Sequence, residues 1–193
     1  KVGTAVLTQD GQLAIERMEN LVDLIAKLKN EKKLEVILVS SGAVGAGYTT
    51  LKLDKKIIAN KQALAAIGQP LLLKHYKKRF KEHNISCAQM LFIADDFDSR
   101  KRTKNAQDVM EILLENKILP IINENDVIAN YELLFGDNDQ LAAHVAFHFK
   151  ADMLAILSDI DGYYNKNPRE FDDAVLQKEV RSEEHTSELQ SPA

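Results

Sequence analysis

Residues 117–126 read KILPIINEND, an apolar run that ends abruptly in amides and carboxylates. The apolar part predicts a buried strand. A second polar group, Gly136-Asp137-Asn138-Asp139, precedes residues 140–149, whose apolar positions predict a helix that opens on an Asp/Asn cap. In an open α/β sheet, ligands bind where strands end and helices begin. Amides and carboxylates together suit an amino acid, although Asn and Asp are also ordinary turn formers.

The rest of the chain alternates between apolar strand patterns and amphipathic helix patterns. This alternation predicts a three-layer α-β-α sandwich, an α/β fold with an open, mostly parallel sheet covered on both faces. Gly68-Gln69-Pro70 predicts a break between two helices. We predict strands at 2–8, 35–40, 85–92 and a buried one at 153–157, helices at 13–30, 56–67, 71–82 and 105–116, and a β-hairpin at 127–135.

Composition limits the classes of function. The 193 residues can form one sizeable domain, and 45% hydrophobic with 28% charged residues is typical of globular proteins. The formal net charge of -4 argues against nucleic acid as a partner. No apolar run approaches the roughly 18 residues of a membrane span, and no signal-peptide pattern is present. A single cysteine, Cys87, fits a reducing, cytoplasmic location.

Both ends of the sequence look cut. The first residues read as a strand already under way, without an initiating Met. Residues 181–191 lose all apolar periodicity and match the translation of a common sequencing-library adapter. We therefore expect one domain over 1–180 and a non-native or disordered tail over 181–193, the alternative being an authentic disordered tail.

Two further features could bind an anion. The glycine-rich segment Ser40–Gly47 follows a predicted strand, and its glycines would let backbone N–H groups approach an anion. It lacks both the Walker A pattern and the dinucleotide-binding pattern. Lys1 places a cation beside Gly3 and Thr4. For metal, His144 and His148 are four apart, but no zinc-binding pattern accompanies them, so we predict no metal held by the protein itself.

Several motifs, in order, resemble the amino acid kinase family from residue 1 to about residue 180. Within it they are most similar to the branch that phosphorylates the γ-carboxylate of L-glutamate, the first step of proline biosynthesis. The motifs are KVGT at 1–4, VSSGAV at 39–44, KQALAAIGQ at 61–69, INEND at 122–126, GDND at 136–139 and LSDIDGYY at 157–164.

The resemblance implies roles for individual residues. Lys1 is similar to the lysine that reaches the transferring phosphate, and Asp139 to the aspartate that orients catalytic lysines. The glutamate-binding positions resemble Ser41, Gly42, Asp126 and Asn138. The ATP-binding positions resemble Lys1, Gly3, Ser158 and Asp159. The implied cofactors are ATP and Mg²⁺, the latter held mainly by the nucleotide phosphates.

One family segment has no counterpart here. Members carry a Gly-Thr-Gly-Gly-x-x-Thr-Lys stretch that closes over the nucleotide, so we expect the 193 residues by themselves not to turn over. The expected partners are L-glutamate, ATP and identical subunits, without nucleic acid or membrane. A sibling kinase with another carboxylate or phosphate acceptor, or a non-catalytic amino-acid-binding module, stays open.

Overall fold

The computed structural model describes residues 1–9, 12–129 and 138–177. These residues divide into two compact units, one up to Leu157 and one from Ser158 onward. Throughout these three ranges, no helix combines the length and apolarity needed to cross a membrane. The helices are α1 (Thr4–Leu7), α2 (Ile15–Asn30), α3 (Ala43–Thr50), α4 (Ile58–Glu82), α5 (Asp95–Asp98), α6 (Arg100–Glu115) and α7 (Asp139–His148). The strands are β1 (Thr8–Gln9), β2 (Gln12–Leu13), β3 (Leu38–Val39), β4 (Cys87–Phe92), β5 (Leu119–Glu124), β6 (Tyr163–Tyr164) and β7 (Leu176–Gln177).

A parallel sheet organises the first unit. β5 lies between β3 and β4 and pairs with both in parallel, with Ile121 opposite Leu38 on one side and Gln89 on the other. Val2 extends the sheet beyond β3 through single parallel bridges to Ser40 and Leu157. The predicted parallel α/β sheet is thus confirmed, and its strand C-terminal ends share one edge.

Helices cover both faces of this sheet, each over its own apolar core. Because side chains alternate along a strand, Leu119 and Ile121 of β5 join one core and Ile122 joins the other. The first core packs against α2 and α4. The second packs against α6 and α7, through residues that include Met110, Leu141 and Val145.

The predicted strand at 2–8 is wrong for residues 3–7. The chain leaves the sheet at Gly3, and Thr4–Leu7 forms the short helix α1. Leu7 is completely buried, and its carbonyl accepts a 2.7 Å hydrogen bond from the Ala14 amide. Packing of Leu7 in the core outweighs the strand propensity of the sequence.

The predicted break at Gly68-Gln69-Pro70 is also wrong, because α4 runs uninterrupted through Pro70. A proline inside a helix costs about 3 kcal/mol. On either side of it, however, Leu64, Leu72 and Phe80 are all essentially buried. Each such side chain contributes about 1.5–3 kcal/mol, so continuous packing exceeds the local cost.

The segment at 153–157 differs from the predicted buried strand. Only Leu157 forms a bridge, and Met153, Ile156 and Leu157 are 82%, 46% and 37% exposed. These residues border Val2 at the margin of the described sheet, where one side has no neighbouring strand within the described ranges. Residues 130–135 of the predicted hairpin lie outside the described residues.

The second unit is described over residues 158–177. It contains a small antiparallel pair in which Tyr163 lies opposite Gln177 and Tyr164 opposite Leu176. Ion pairs join Lys166 to Asp173 and Arg169 to Asp159.

Candidate functional site

Three polar side chains meet at the C-terminal edge of the sheet. Ser41 follows β3, Asn123 lies near the end of β5, and Asn138 precedes α7. The Asn138 amide nitrogen donates to Ser41 Oγ and to Asn123 Oδ1, both at 2.8 Å. Asn123 in turn donates to Gln69 Oε1 at 2.8 Å. All three residues are at least nine-tenths buried, so these bonds order them in a low-dielectric setting.

This network determines what each group can offer a ligand. Asn138 uses both amide hydrogens on Ser41 and Asn123, so its carbonyl oxygen is the atom left to accept from a ligand donor. Ser41 Oγ accepts from Asn138, so its hydroxyl hydrogen can turn to a carboxylate. Asn138 stands at the predicted helix-cap position, yet its side chain makes no capping hydrogen bond.

The network borders a cavity of about 310 Å³, and every predicted substrate-binding residue lines this cavity. Ser41 and Gly42 contribute from the loop after β3, Asp126 from the turn after β5, and Asn138 from the start of α7. The structure therefore brings together residues separated by as many as 97 positions in the sequence. Their role in binding stays a prediction.

Gly42 shapes one wall of the cavity. Its φ of +108° is a conformation that side chains other than glycine rarely adopt, and α3 begins at the next residue. Ala43, Val44 and Gly45 also line the cavity. The first amides of a helix have no intrahelical acceptor, so this wall can donate hydrogen bonds to an anion.

Gly47, the last glycine of the predicted anion loop, serves a different purpose. Gly47 lies inside α3, where an added Cβ would be 2.7 Å from the Leu64 carbonyl carbon and closer still to its oxygen. A Cβ on Gly68 would likewise overlap the Ala43 carbonyl. Gly47 and Gly68 therefore allow α3 and α4 to pack backbone against backbone. Small residues on both helix patterns were the signal that could have indicated this contact.

Charges of both signs surround the cavity. Glu124, Asp126, Lys55 and Lys61 all line it. Burial raises the pKa of the Asp126 carboxyl, and the nearby Lys61 charge partly counteracts that rise. The resemblance had assigned a role to Asp126 but none to the two lysines, although Lys61 opens one of the quoted motifs. A cavity with paired cations and carboxylates suits a zwitterion.

Lys1 and Asp139 form an ion pair close to this cavity wall. Lys1 Nζ pairs with Asp139 Oδ1, and the Lys1 side chain is 2% exposed. The Lys1 main-chain nitrogen donates to Ala155 O at 2.6 Å, and its carbonyl accepts from Leu157 N at 2.8 Å. Gly3 is adjacent, since a Cβ there would lie 3.2 Å from Lys1 Nζ. The two predicted catalytic residues are thus held together, with Asp139 directly after Asn138.

Ser158 and Asp159 belong to the second unit. There Ser158 Oγ is 3.5 Å from Asp159 Oδ1, and the Arg169 guanidinium donates to Asp159. That hydrogen bond from Arg169 lowers the pKa of the Asp159 carboxyl. Their nucleotide-binding role stays a prediction.

A larger groove of about 780 Å³ adjoins the same turn after β5. It shares Glu124 and Asp126 with the smaller cavity and continues along α4 and β4 over Pro70, Leu73 and Leu91. The sequence had not indicated it.

Comparison with known proteins decides the family. A profile of the amino acid kinase family matches residues 1–191. The chain belongs to this family. Membership in a family of kinases implies a phosphotransferase that uses ATP.

Curated members of the amino acid kinase family resemble the chain closely. The chain is 56% identical over 184 residues to a glutamate 5-kinase of Wolinella succinogenes. This alignment covers 93% of the chain and 70% of that protein. Glutamate 5-kinases of Leishmania donovani and Helicobacter hepaticus are 54% and 48% identical, and the chain covers 68% of each.

Solved structures support the fold. An isopentenyl phosphate kinase superposes with a TM-score of 0.63 at 15% identity, covering 96% of this chain and 80% of that one. The product complex of T. acidophilum isopentenyl phosphate kinase superposes with a TM-score of 0.62 at 14% identity, covering 98% of this chain and 81% of that one. At this identity the likeness concerns the α/β architecture, which agrees with the predicted fold class.

Proposed function

We propose that the chain, joined to the segment that follows in its relatives, transfers the γ-phosphoryl group of ATP to the γ-carboxylate of L-glutamate, giving L-glutamyl 5-phosphate for proline biosynthesis. The observation that carries this proposal is the convergence of Ser41, Asp126 and Asn138 on one small cavity with charges of both signs. The glutamate 5-kinases at 48–56% identity provide independent support.

The cavity supplies complementary groups for an amino acid. Its volume of about 310 Å³ is at the lower end of ligand pockets, which suits a small metabolite. The Asp126 carboxylate and the Asn138 carbonyl oxygen would accept hydrogen bonds from the α-ammonium group. The Ser41 hydroxyl and the amides that open α3 would donate to carboxylate oxygens.

Phosphoryl transfer to this acceptor requires positioning more than proton transfer. The γ-carboxylate is already ionised at neutral pH, so no general base is needed. One of its oxygens attacks the γ-phosphorus while the bond to the bridging oxygen breaks and ADP leaves with the electron pair. The main task is to hold two anions in line and to stabilise the charge that develops.

We assign Lys1 to the stabilisation of the negative charge that develops during phosphoryl transfer. Its side chain is almost completely buried, so its ammonium group is worth more than it would be in water. Asp139, 47% exposed, fixes the position of Lys1 Nζ through their ion pair. We further assign Gly3, Ser158 and Asp159 to ATP, as the family resemblance implies.

Magnesium would accompany ATP. Among the residues that the structure describes, no group of three or more His, Cys, Asp or Glu side chains could hold a metal ion. The Asp139 carboxylate is already engaged by Lys1. We therefore propose that the phosphate oxygens provide most Mg²⁺ ligands and that the ion reduces the repulsion between nucleotide and acceptor. The lone Cys87 supports our proposal of a cytoplasmic location.

Trapping the acyl phosphate tests the proposed reaction. A chimera joins residues 1–180 to the segment that follows in the Wolinella succinogenes relative, since the chain covers 70% of that protein. With ATP, Mg²⁺ and L-glutamate, we expect ADP release and, with hydroxylamine, the glutamyl hydroxamate. Other carboxylate and phosphate acceptors are tested separately. Hydroxamate formed only from another acceptor indicates a sibling kinase, and glutamate binding without any turnover indicates a binding module; either result refutes the proposal.

A further inference from the structure

Two lysines to which the sequence had assigned no role line the cavity of about 310 Å³, called the acceptor cavity from here on. Lys55 lies in the turn before α4 and Lys61 lies in the first turns of that helix. Both are half-buried, and both share the cavity with Asp126 and Ser41. The wall formed by the start of α4 is therefore basic where it borders the ligand space.

The structure holds these lysines in place. Lys55 Nζ lies 3.8 Å from the centroid of the Tyr48 ring, close enough for a cation–π interaction. Asp54 orders the intervening turn, because its carboxylate accepts from the Lys56 amide at 2.9 Å. The Lys61 amide donates to Ile57 O at 3.0 Å, which ties Lys61 to the same turn.

The charges of glutamate can be matched to this arrangement. Glutamate carries one ammonium group and two carboxylates at neutral pH. Asp126 and Glu124 suit the ammonium group, and the γ-carboxylate must be near Lys1 to accept a phosphoryl group. The α-carboxylate shares a carbon with the ammonium group, so it requires cations near Asp126. The Lys61 charge acts on Asp126, and Lys55 lines the same cavity.

We propose that Lys55 and Lys61 bind the α-carboxylate of the acceptor and make the site select α-amino dicarboxylic acids over monocarboxylic analogues. This inference rests on glutamate being the acceptor, as proposed above. A site whose two lysines face a carboxylate discriminates strongly against an analogue that lacks this carboxylate, because the analogue offers the lysines no negative charge.

Binding of three related ligands isolates the subsite. L-Glutamate, 4-aminobutyrate (which lacks the α-carboxylate) and glutarate (which lacks the ammonium group) are titrated into the 193-residue chain. Calorimetry measures the tight binders and ligand-observed NMR the weak ones. For Lys61→Met we expect the Kd of glutamate to rise about tenfold or more, as befits a lost charge-assisted hydrogen bond. The Kd of 4-aminobutyrate should change less than threefold, and glutarate should weaken as glutamate does. Lys55→Met should behave in the same way.

Matched controls separate binding from structure. Lys52 Nζ lies 4.1 Å from the same Tyr48 ring, yet Lys52 is exposed and does not line the cavity, so Lys52→Met should leave all three Kd values unchanged. Lys61→Arg should retain most of the preference for glutamate because it keeps the positive charge.

Each result has a distinct meaning. A selective loss of affinity for ligands with the α-carboxylate supports the subsite. Equal weakening of glutamate and 4-aminobutyrate in Lys61→Met means that Lys61 only shapes the cavity, which overturns the inference but leaves the proposed function intact. No glutamate binding by the parent chain refutes the proposed function itself, and with it the subsite.

Discussion

Replacing Gly68 by alanine tests whether the contact between α3 and α4 shapes the acceptor cavity. The added Cβ would lie 2.8 Å from the Ala43 carbonyl carbon and nearer still to the carbonyl oxygen. Carbon atoms need about 3.5–4.0 Å, so the helices must separate by at least about 1 Å. The obstacle is backbone, which cannot rotate away as a side chain could. Overpacking of this kind costs typically about 1–3 kcal/mol, and often more when backbone must move.

The predicted sign is opposite to that of helix propensity. Gly→Ala inside a helix would by itself stabilise by about 1 kcal/mol. We expect the clash to exceed this gain, with a net loss of about 2 kcal/mol and a fall in Tm of about 4–8 °C for a chain of this size. Since Ala43 and Val44 line the cavity, glutamate affinity should fall as well.

Thermal unfolding followed by circular dichroism, together with glutamate titration, measures both effects. Ala63→Gly, at an exposed position of α4, is the control: it should cost about 1 kcal/mol through propensity and leave glutamate affinity unchanged. Gly47→Ala should repeat the effect of Gly68→Ala, because it meets Leu64 across the same contact. A Gly68→Ala chain with a higher Tm than the parent would refute the reasoning.

Three further predictions concern individual side chains. Lys1→Met in the chimera should lower kcat by a factor on the order of 10² or more with little change in KM; an unchanged kcat would reduce Lys1 to a structural partner of Asp139. Asp126→Asn should raise the Kd of glutamate about tenfold at pH 7 and leave ATP binding unchanged. Burial raises the pKa of the Asp126 carboxyl above its ordinary 3.8. Since only the carboxylate attracts an ammonium group, glutamate affinity should fall as the pH drops through that raised value, and an identical pH profile in Asp126→Asn would contradict this. Burial also raises the pKa of the Cys87 thiol to about 11 from 9.0, so at pH 8 a thiol reagent should label it about a hundredfold more slowly than after unfolding in urea; equal rates would contradict the burial of this thiol.

Local patterns were sufficient where one interaction dominates. The apolar run that became β5 and the apolar stripe that became α2 were both predictable, because burial of such faces is the largest favourable term in folding. The polar residues after β5 and before α7 indicated a ligand site for a similar reason, since parallel strands end at one edge of the sheet.

Errors arose where distant contacts opposed a local signal. Pro70 would end an isolated helix, but Leu72 and Phe80 find buried positions only if α4 continues. Gly47 looked like part of an anion loop, and its actual neighbour, Leu64, is 17 positions away. Neither partner can be identified from a window of neighbouring residues.

The sequence by itself determined the fold class, the family resemblance and four residues that line the smaller cavity, Ser41, Gly42, Asp126 and Asn138, because these depend on periodicity and on motifs that are contiguous in the chain. Only the tertiary structure decided how they act together. It committed the amide hydrogens of Asn138 to Ser41 and Asn123, paired Lys1 with Asp139, and placed Lys61 near Asp126. Hydrogen bonds and charge pairs depend on distances of a few ångströms between residues far apart in sequence, and folding alone sets those distances.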